Sequence, residues 1–105
     1  LHDATGAEVD GWDTYAGFRD FRMEGGWFRL NGRPFHPRGL LNQAIYPDTL
    51  YTPTDAHTLT DFGRTLDLGF NGERRHQTTP RHRDLWLADR MGLWFGSIGY
   101  RYLPE

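Results

Sequence analysis

The chain of 105 residues contains no cysteine, which excludes disulfides, thiol catalysis and thiolate-ligated zinc and leaves the redox compartment open. Lysine is missing as well: all 12 basic residues are arginine, a compositional bias from which no mechanism follows. Serine occurs once, as Ser97, with no nucleophile-elbow motif around it, so a Ser/His/Asp triad has no support. No apolar run approaches the roughly 20 residues needed to cross a bilayer, and no membrane partner is expected. A formal charge of −2 argues against a general nucleic-acid partner. Residues Leu1 to Gly6 offer neither an initiator Met nor the basic and apolar stretches of a signal peptide. Both ends read as cut, and the expectation is a piece of a longer protein.

What is present is enough for a core. Hydrophobic residues make up 37% of the chain and aromatics 15%, a composition unlike that of disordered chains. Residues 1–14 are polar and aperiodic and read as a loop or an incomplete strand. From Tyr15 an alternating, β-like stretch runs to Met23 and ends at the turn signal Glu24-Gly25-Gly26. Trp27 to Leu30 reads as a second strand. Asn31-Gly32 follows as a hairpin signal, because both central residues of a type I′ turn need positive φ. Arg33 to Leu40 is the expected returning strand, restricted by Pro34 and Pro37 to an edge.

A long connection, Asn42 to Pro53, leads to a helix predicted from about Thr54 to Leu68. Thr54 is its candidate N-cap, Asp55 favours the positive end of its dipole, and Gly69 is its left-handed stop. Leu59, Phe62 and Leu66 fall on one face and form the expected apolar stripe. Phe70 to Arg75 reads as a strand, Arg81 to Met91 as a second helix closed by Gly92, and Leu93 to Gly96 as a short buried strand. The expected fold class is therefore α/β: an N-terminal β-hairpin followed by a β-α-β-α-β segment of an incomplete (β/α)8 barrel. A full barrel takes about 250 residues. The strand near Phe70 releases the polar cluster Arg74, Arg75, His76, Gln77 at its C-terminal end, where such barrels place ligand-binding groups.

Four phrases carry a resemblance. Gly17-Phe18-Arg19 is similar to the strand that closes the β-sandwich domain of family 2 glycoside hydrolases, the β-galactosidase, β-glucuronidase and β-mannosidase group. Phe28-Arg29-Leu30-Asn31-Gly32-Arg33-Pro34, with Arg38-Gly39 after it, resembles that family's approach into the catalytic barrel. Asp67 to Gly72, with Arg74 and His76, looks like its second barrel strand. Leu87-Ala88-Asp89-Arg90-Met91-Gly92-Leu93 is similar to the lead into its third. Together they span about residues 15–95. By this resemblance residues 1–26 are the end of a β-sandwich domain with its linker, and residues 27–105 begin a truncated TIM-barrel glycosidase domain.

The resemblance implies a parent enzyme that is a retaining exo-glycosidase acting on terminal β-linked sugars, with a carbohydrate substrate and no cofactor. Its two catalytic carboxyls stand about 5–5.5 Å apart and come from later strands, after an Asn-Glu motif missing here. Of Glu8, Glu24, Glu73 and Glu105, none matches a catalytic position, so this chain is expected to be catalytically silent. The tail from Ser97 departs from the family, which places a carboxylate there, and no metal site is carried onto it.

The resemblance assigns Arg74 and His76 to substrate binding, a fork of donors and an imidazole suited to sugar hydroxyls. The plainer alternative pairs Arg74 with Glu73 or another carboxylate and leaves His76 on an exposed loop. Asn42 and Gln43 are candidates to bond a sugar hydroxyl, or else simply tie down the loop. Arg38 is expected in a buried ion pair and Asp89 as an anchor on the second helix. Trp27, Trp86 and Trp94 are expected in the core, leaving Trp12, Tyr46 and Tyr51 as stacking candidates for a sugar face. The run 74–83 holds four Arg and two His; its alternative use is a small glycan- or anion-binding module. A metal role for His76 and His82 needs a third donor that no motif supplies.

Overall fold

The computed structural model describes residues 1–97, so most of the divergent tail 97–105, Glu105 included, lies outside the described residues. The chain divides into two compact units, Leu1–Phe35 and His36–Glu105. One carries an antiparallel three-stranded sheet, the other a parallel three-stranded sheet with two helices.

In the first unit, residues 1–14 form no strand. They form a knot around Asp3, whose Oδ1 accepts from the Thr5 amide at 2.8 Å, the Thr5 hydroxyl at 2.6 Å and the Ala7 amide at 3.0 Å. Those donors hold its carboxyl below the ordinary value, the Thr5 hydroxyl foremost. Strand β1 (Phe21–Glu24) pairs antiparallel with β2 (Trp27–Leu30). The turn between them puts Gly25 and Gly26 at φ 59° and 82°, the left-handed pair that a right-twisted hairpin needs. Asn31 and Gly32 repeat the device at φ 50° and 76°. Asn31 also accepts the Asp20 amide on its side-chain oxygen at 2.9 Å, fixing the hairpin base.

The returning strand is shorter than its sequence implied. Strand β3 is only Arg33–Pro34, and pairing resumes at Gly39 as β4 (Gly39–Asn42) of the other sheet. Pro34 and Pro37 supply no amide, so an antiparallel ladder cannot pass through them. Trp27 also departs from the expected core role: it is 67% exposed. The ring contacts of this unit are Phe21 stacked on Phe28, centroids 5.4 Å apart, and Phe35 edge-on to Phe21 at 6.0 Å.

The second unit follows the predicted order. Helix α1 (Asp55–Asp67) begins at Thr54, whose hydroxyl accepts the His57 amide at 3.3 Å while His57 Nδ1 accepts the Thr54 amide at 3.4 Å. This is a capping box with imidazole in the place usually held by Glu or Gln. Gly69, at φ 82°, turns the chain out of the helix. Strand β5 (Gly72–Arg75) lies between β4 and β6 (Trp94–Ser97), parallel to both. Helix α2 (His82–Met91) precedes β6 and ends at Gly92, φ 73°.

The core is Phe62, Leu87, Ala88 and Leu93, with Trp86, Met91 and Phe95 against it. Burying a phenyl such as Phe62 contributes about 1.5–3 kcal/mol. The buried stripe of α1 is Thr58, Phe62 and Thr65. Leu59 and Leu66, expected there, are 43% and 38% exposed. Hydroxyls replace leucines because carboxylates lie opposite: Thr58 donates to Asp84 at 3.2 Å and Thr65 to Glu73 at 3.0 Å. Buried polar groups must meet partners, and these four do.

On the other sheet face, away from the helices, the Trp94 indole lies across Gly39 and Gly72. A Cβ at either glycine would stand 2.6 Å or 2.3 Å from its ring. Asn71 joins the starts of all three strands. Its side-chain oxygen accepts the Arg38 amide at 2.7 Å and the Trp94 indole N–H at 2.8 Å, and its Nδ2 donates to the His36 carbonyl at 3.0 Å. Arg38 itself is exposed and donates Nε to the Gly69 carbonyl at 2.9 Å, in place of the buried ion pair expected of it.

Candidate functional site

Because β4, β5 and β6 are parallel, their C-terminal ends open on one side of the sheet, and the βα connections 43–54 and 76–81 leave from it. Asn42 pairs in register with Arg75, and the His76 amide donates to the Asn42 carbonyl at 3.2 Å. Three of the four residues singled out in the sequence, Asn42, Arg74 and His76, therefore share this end. Gln43 follows directly, exposed at the start of the loop.

Side-chain alternation separates them. Residues i and i+2 of a strand share a face. Glu73, bonded to Thr65 of α1, and Arg75, whose guanidinium lies 5.2 Å over the Phe95 ring, look toward the helices. Arg74 between them takes the opposite face. Its Nη2 lies 3.3 Å from His76 Nδ1, a donation that requires the imidazole proton on Nε2. Asn42 is on the helix side: its Nδ2 donates to Glu73 at 3.2 Å and its Oδ1 accepts the Ala44 amide at 2.7 Å. The pairing of Arg74 with Glu73 is overturned, since the partner of Glu73 is Arg75, Nη2 to Oε2 at 3.5 Å. The period of two, applied to Gly72-Glu73-Arg74-Arg75, is the signal that identifies that pair.

Glu73 is fully buried and Arg75 is 1% exposed. Burial pushes the Glu73 carboxyl above its ordinary value, against the pull of Arg75 and the hydrogen bonds from Thr65 and Asn42. The Glu73–Arg75 ion pair is long, and desolvation costs are large for such pairs. Asp84 behaves oppositely. Burial raises it, but the Arg81 hydrogen bonds and charge outweigh burial and hold it low; Arg81 Nη2 lies at 2.7 Å. The Asp84 carboxylate also accepts the Arg81 amide at 3.2 Å, capping the start of α2.

Tyr46 is not available for stacking on a sugar. It is buried, stacked on His57 with centroids 4.9 Å apart, and its hydroxyl donates to Asp61 at 2.5 Å. Burial, with Asp61 beside it, drives that hydroxyl far above its ordinary value. Trp12 and Tyr51 are exposed, at 86% and 62%. A cavity of about 250 Å³ lies by the strand end, lined by Arg75, Arg81, Asp84, Thr78, Ala44 and Tyr51 among others. Among the described residues no cluster of three or more His, Asp or Glu is placed to hold a metal ion.

No protein-family model matches the sequence, and no curated protein does. Solved structures do. A family 2 β-galacturonidase of Eisenbergiella tayi, bound to galacturonate, superposes with a TM-score of 0.74 at 27% identity, over 77% of this chain and 14% of the enzyme. The β-D-glucuronidase of Dictyoglomus thermophilum gives 0.71 at 25% identity over the same shares, 77% and 14%. A Ruminococcus gnavus β-glucuronidase in complex with D-glucuronic acid matches in fold over 92% of this chain and 17% of its own, with a TM-score of 0.79 at 22% identity. The chain thus spans about one-seventh of the first of these enzymes. The ordered strand-helix-strand-helix-strand unit, the phrases that build it and these superpositions make the chain similar to a fragment of the family 2 glycoside hydrolases.

Proposed function

We propose that this chain opens the catalytic (β/α)8 barrel of an exo-glycosidase whose intact form hydrolyses terminal β-linked sugars by double displacement, with β-uronides as the substrate class. The carrying observation is the superposition on a β-galacturonidase at 27% identity, over 77% of this chain. In this reading residues 1–26 close the preceding β-sandwich and residues 27–105 begin the barrel. Arg74 and His76, with Gln43 next along the rim, then stand where a sugar is bound, and Asn42, held by Glu73 and the Ala44 amide on the helix side, ties down the strand end instead. Arg74 suits this role best, because its guanidinium lies on the sheet face free of helices and its contact with His76 leaves further N–H donors for hydroxyls.

The chain by itself is catalytically silent in this reading. Retaining hydrolysis needs two carboxyls about 5–5.5 Å apart across the scissile bond. Glu8 and Glu24 belong to the first unit, and Glu24 is held by Arg29 at 2.8 Å. Glu73 is enclosed on the helix side and committed to Thr65, Asn42 and Arg75. An extended anion-binding face on residues 74–83 is disfavoured, because Arg81 is held by Asp84 and Arg83 by Asp55, each at 2.7 Å.

The test is twofold. Chromogenic β-glucuronide, β-galacturonide and β-galactoside are incubated with the purified chain, and no turnover is expected; turnover abolished by Glu73→Gln overturns the silent-fragment reading. The source DNA is then read onward for an Asn-Glu motif, and the enzyme encoded by the extended frame is assayed. A preference for the neutral galactoside over both uronides removes the uronide assignment.

A further inference from the structure

The dipeptide Asn-Gly occurs twice in the chain, as Asn31-Gly32 and Asn71-Gly72, in opposite surroundings. It carries its own chemistry. The glycine nitrogen can attack the Asn Cγ, because no Cβ on the glycine blocks the approach. The new N–Cγ bond closes a cyclic succinimide, and the side-chain nitrogen leaves as ammonia. Water then opens the ring at either carbonyl. One opening gives aspartate; the other gives isoaspartate, with the main chain rerouted through the former side chain. Solvent water is the only co-reactant. What the fold decides is whether the side chain and the next nitrogen can meet.

At Asn31-Gly32 both residues are exposed and hold positive φ, 50° and 76°. The β2–β3 ladder pairs Leu30 with Arg33 across the turn, and the Gly32 amide lies outside it. The Asn31 side-chain oxygen takes the Asp20 amide at 2.9 Å, and Asp20 is itself exposed. Nothing stands within 4 Å of where a Cβ on Gly32 would be, so the turn has room to rearrange.

Asn71-Gly72 is locked. Asn71 Oδ1 accepts the Arg38 amide and the Trp94 indole N–H, and Nδ2 donates to the His36 carbonyl. Its backbone amide donates to the Arg38 carbonyl at 2.9 Å, and its carbonyl accepts the Trp94 amide at 3.1 Å. Gly72 is buried in the central strand with the Trp94 ring against it. Swinging Cγ onto the Gly72 nitrogen breaks these side-chain bonds at the joint of three strands.

We propose that Asn31-Gly32 is a spontaneous modification site, a hairpin turn that converts itself to aspartate and isoaspartate, while the parallel sheet spares Asn71-Gly72. Aspartate keeps an oxygen for the Asp20 amide, so that product preserves the turn. Isoaspartate adds a main-chain carbon, which so tight a turn cannot absorb while Leu30 stays opposite Arg33. The inference concerns the chain itself and stands apart from the sugar the parent acts on.

The experiment keeps the 105-residue chain in mildly alkaline buffer, with and without urea, and digests samples with trypsin at intervals. Residues 30–38 come away with Asn31 as their one Asn, since Arg33-Pro34 resists cleavage, and residues 65–74 with Asn71 as theirs. Mass spectrometry follows amide-to-carboxyl conversion in each peptide, and electron-transfer fragmentation separates aspartate from isoaspartate. In the native chain Asn31 should convert at least about tenfold faster than Asn71, whose reaction waits on local opening of the sheet. In urea the two rates should converge, because the dipeptide is the same. Gly32→Ala should slow conversion at Asn31 in urea, where folding plays no part, and so tie the reaction to the glycine nitrogen. Equal rates at the two sites in the native chain overturn the proposal. So does an Asn31 that converts in urea but not in native buffer, or one indifferent to Gly32→Ala.

Discussion

The two units of this chain spend similar aromatic residues in opposite ways. In Leu1–Phe35, Trp12, Phe18, Phe21, Trp27 and Phe28 all remain exposed, and only Arg29, Leu30 and Phe35 are even partly covered. In His36–Glu105, Phe62 is wholly enclosed and Phe95 and Trp86 pack on it or its neighbours. Both units have correct turns and paired strands. The second also has a helical layer over its sheet. A ladder of hydrogen bonds places side chains in rows, but a second layer is what removes them from water.

The sharpest way to break this contrast is Phe62→Ala. It should cost about 3–5 kcal/mol, the range for a core phenyl, seen as loss of the cooperative denaturant transition. Phe28→Ala, which removes a stacked but solvated ring, should cost only about 0.5–1.5 kcal/mol. Equal losses would mean that the first unit has a core after all. Next comes Gly72→Ala, whose methyl would meet the Trp94 ring. Overpacking of this kind costs about 1–3 kcal/mol, and a shift in tryptophan emission should accompany it.

The buried carboxyl gives a pH signature that the solvated unit lacks. Burial raises Glu73 above its ordinary 4.5, so the folded chain keeps the proton longer than the unfolded chain. Its contribution is full below 4.5 and declines as pH rises through the folded value. Asp84, held below 3.8, works the other way and loses its contribution as pH falls through its lowered value. Glu73→Gln should flatten the decline on the higher-pH side in urea titrations, and an unchanged slope would remove Glu73 as its source. Thr54→Ala should cost about 1 kcal/mol through the N-cap of α1. Smallest of all, Trp27→Ala should change stability by no more than about 0.5 kcal/mol.

Much of the second unit is legible in the sequence because its punctuation is local. Thr54, Gly69 and Gly92 mark the helix ends, and they do so through their own φ values and side-chain oxygens. The stripe of α1 was not legible from hydrophobicity. Thr58 and Thr65 are inside because Asp84 and Glu73, 26 and 8 residues away, need donors, and no local window contains that information. The hairpin turns were readable; the length of β3 was readable only by giving Pro34 and Pro37 more weight than the alternation around them. At the strand end, the cluster Arg74 to His76 was placed correctly as a group. Its division between two sheet faces required the register, which fixes Arg75 beside Glu73 and turns Arg74 away.

The Trp94 indole spanning Gly39 and Gly72 ties three distant positions into one packing unit. A homologue with a slimmer residue in place of the indole is free to carry methyls at the two glycines, and one that keeps the indole is not. Substitutions at these sites should therefore appear together or not at all, a covariation that could be looked for wherever this sheet recurs.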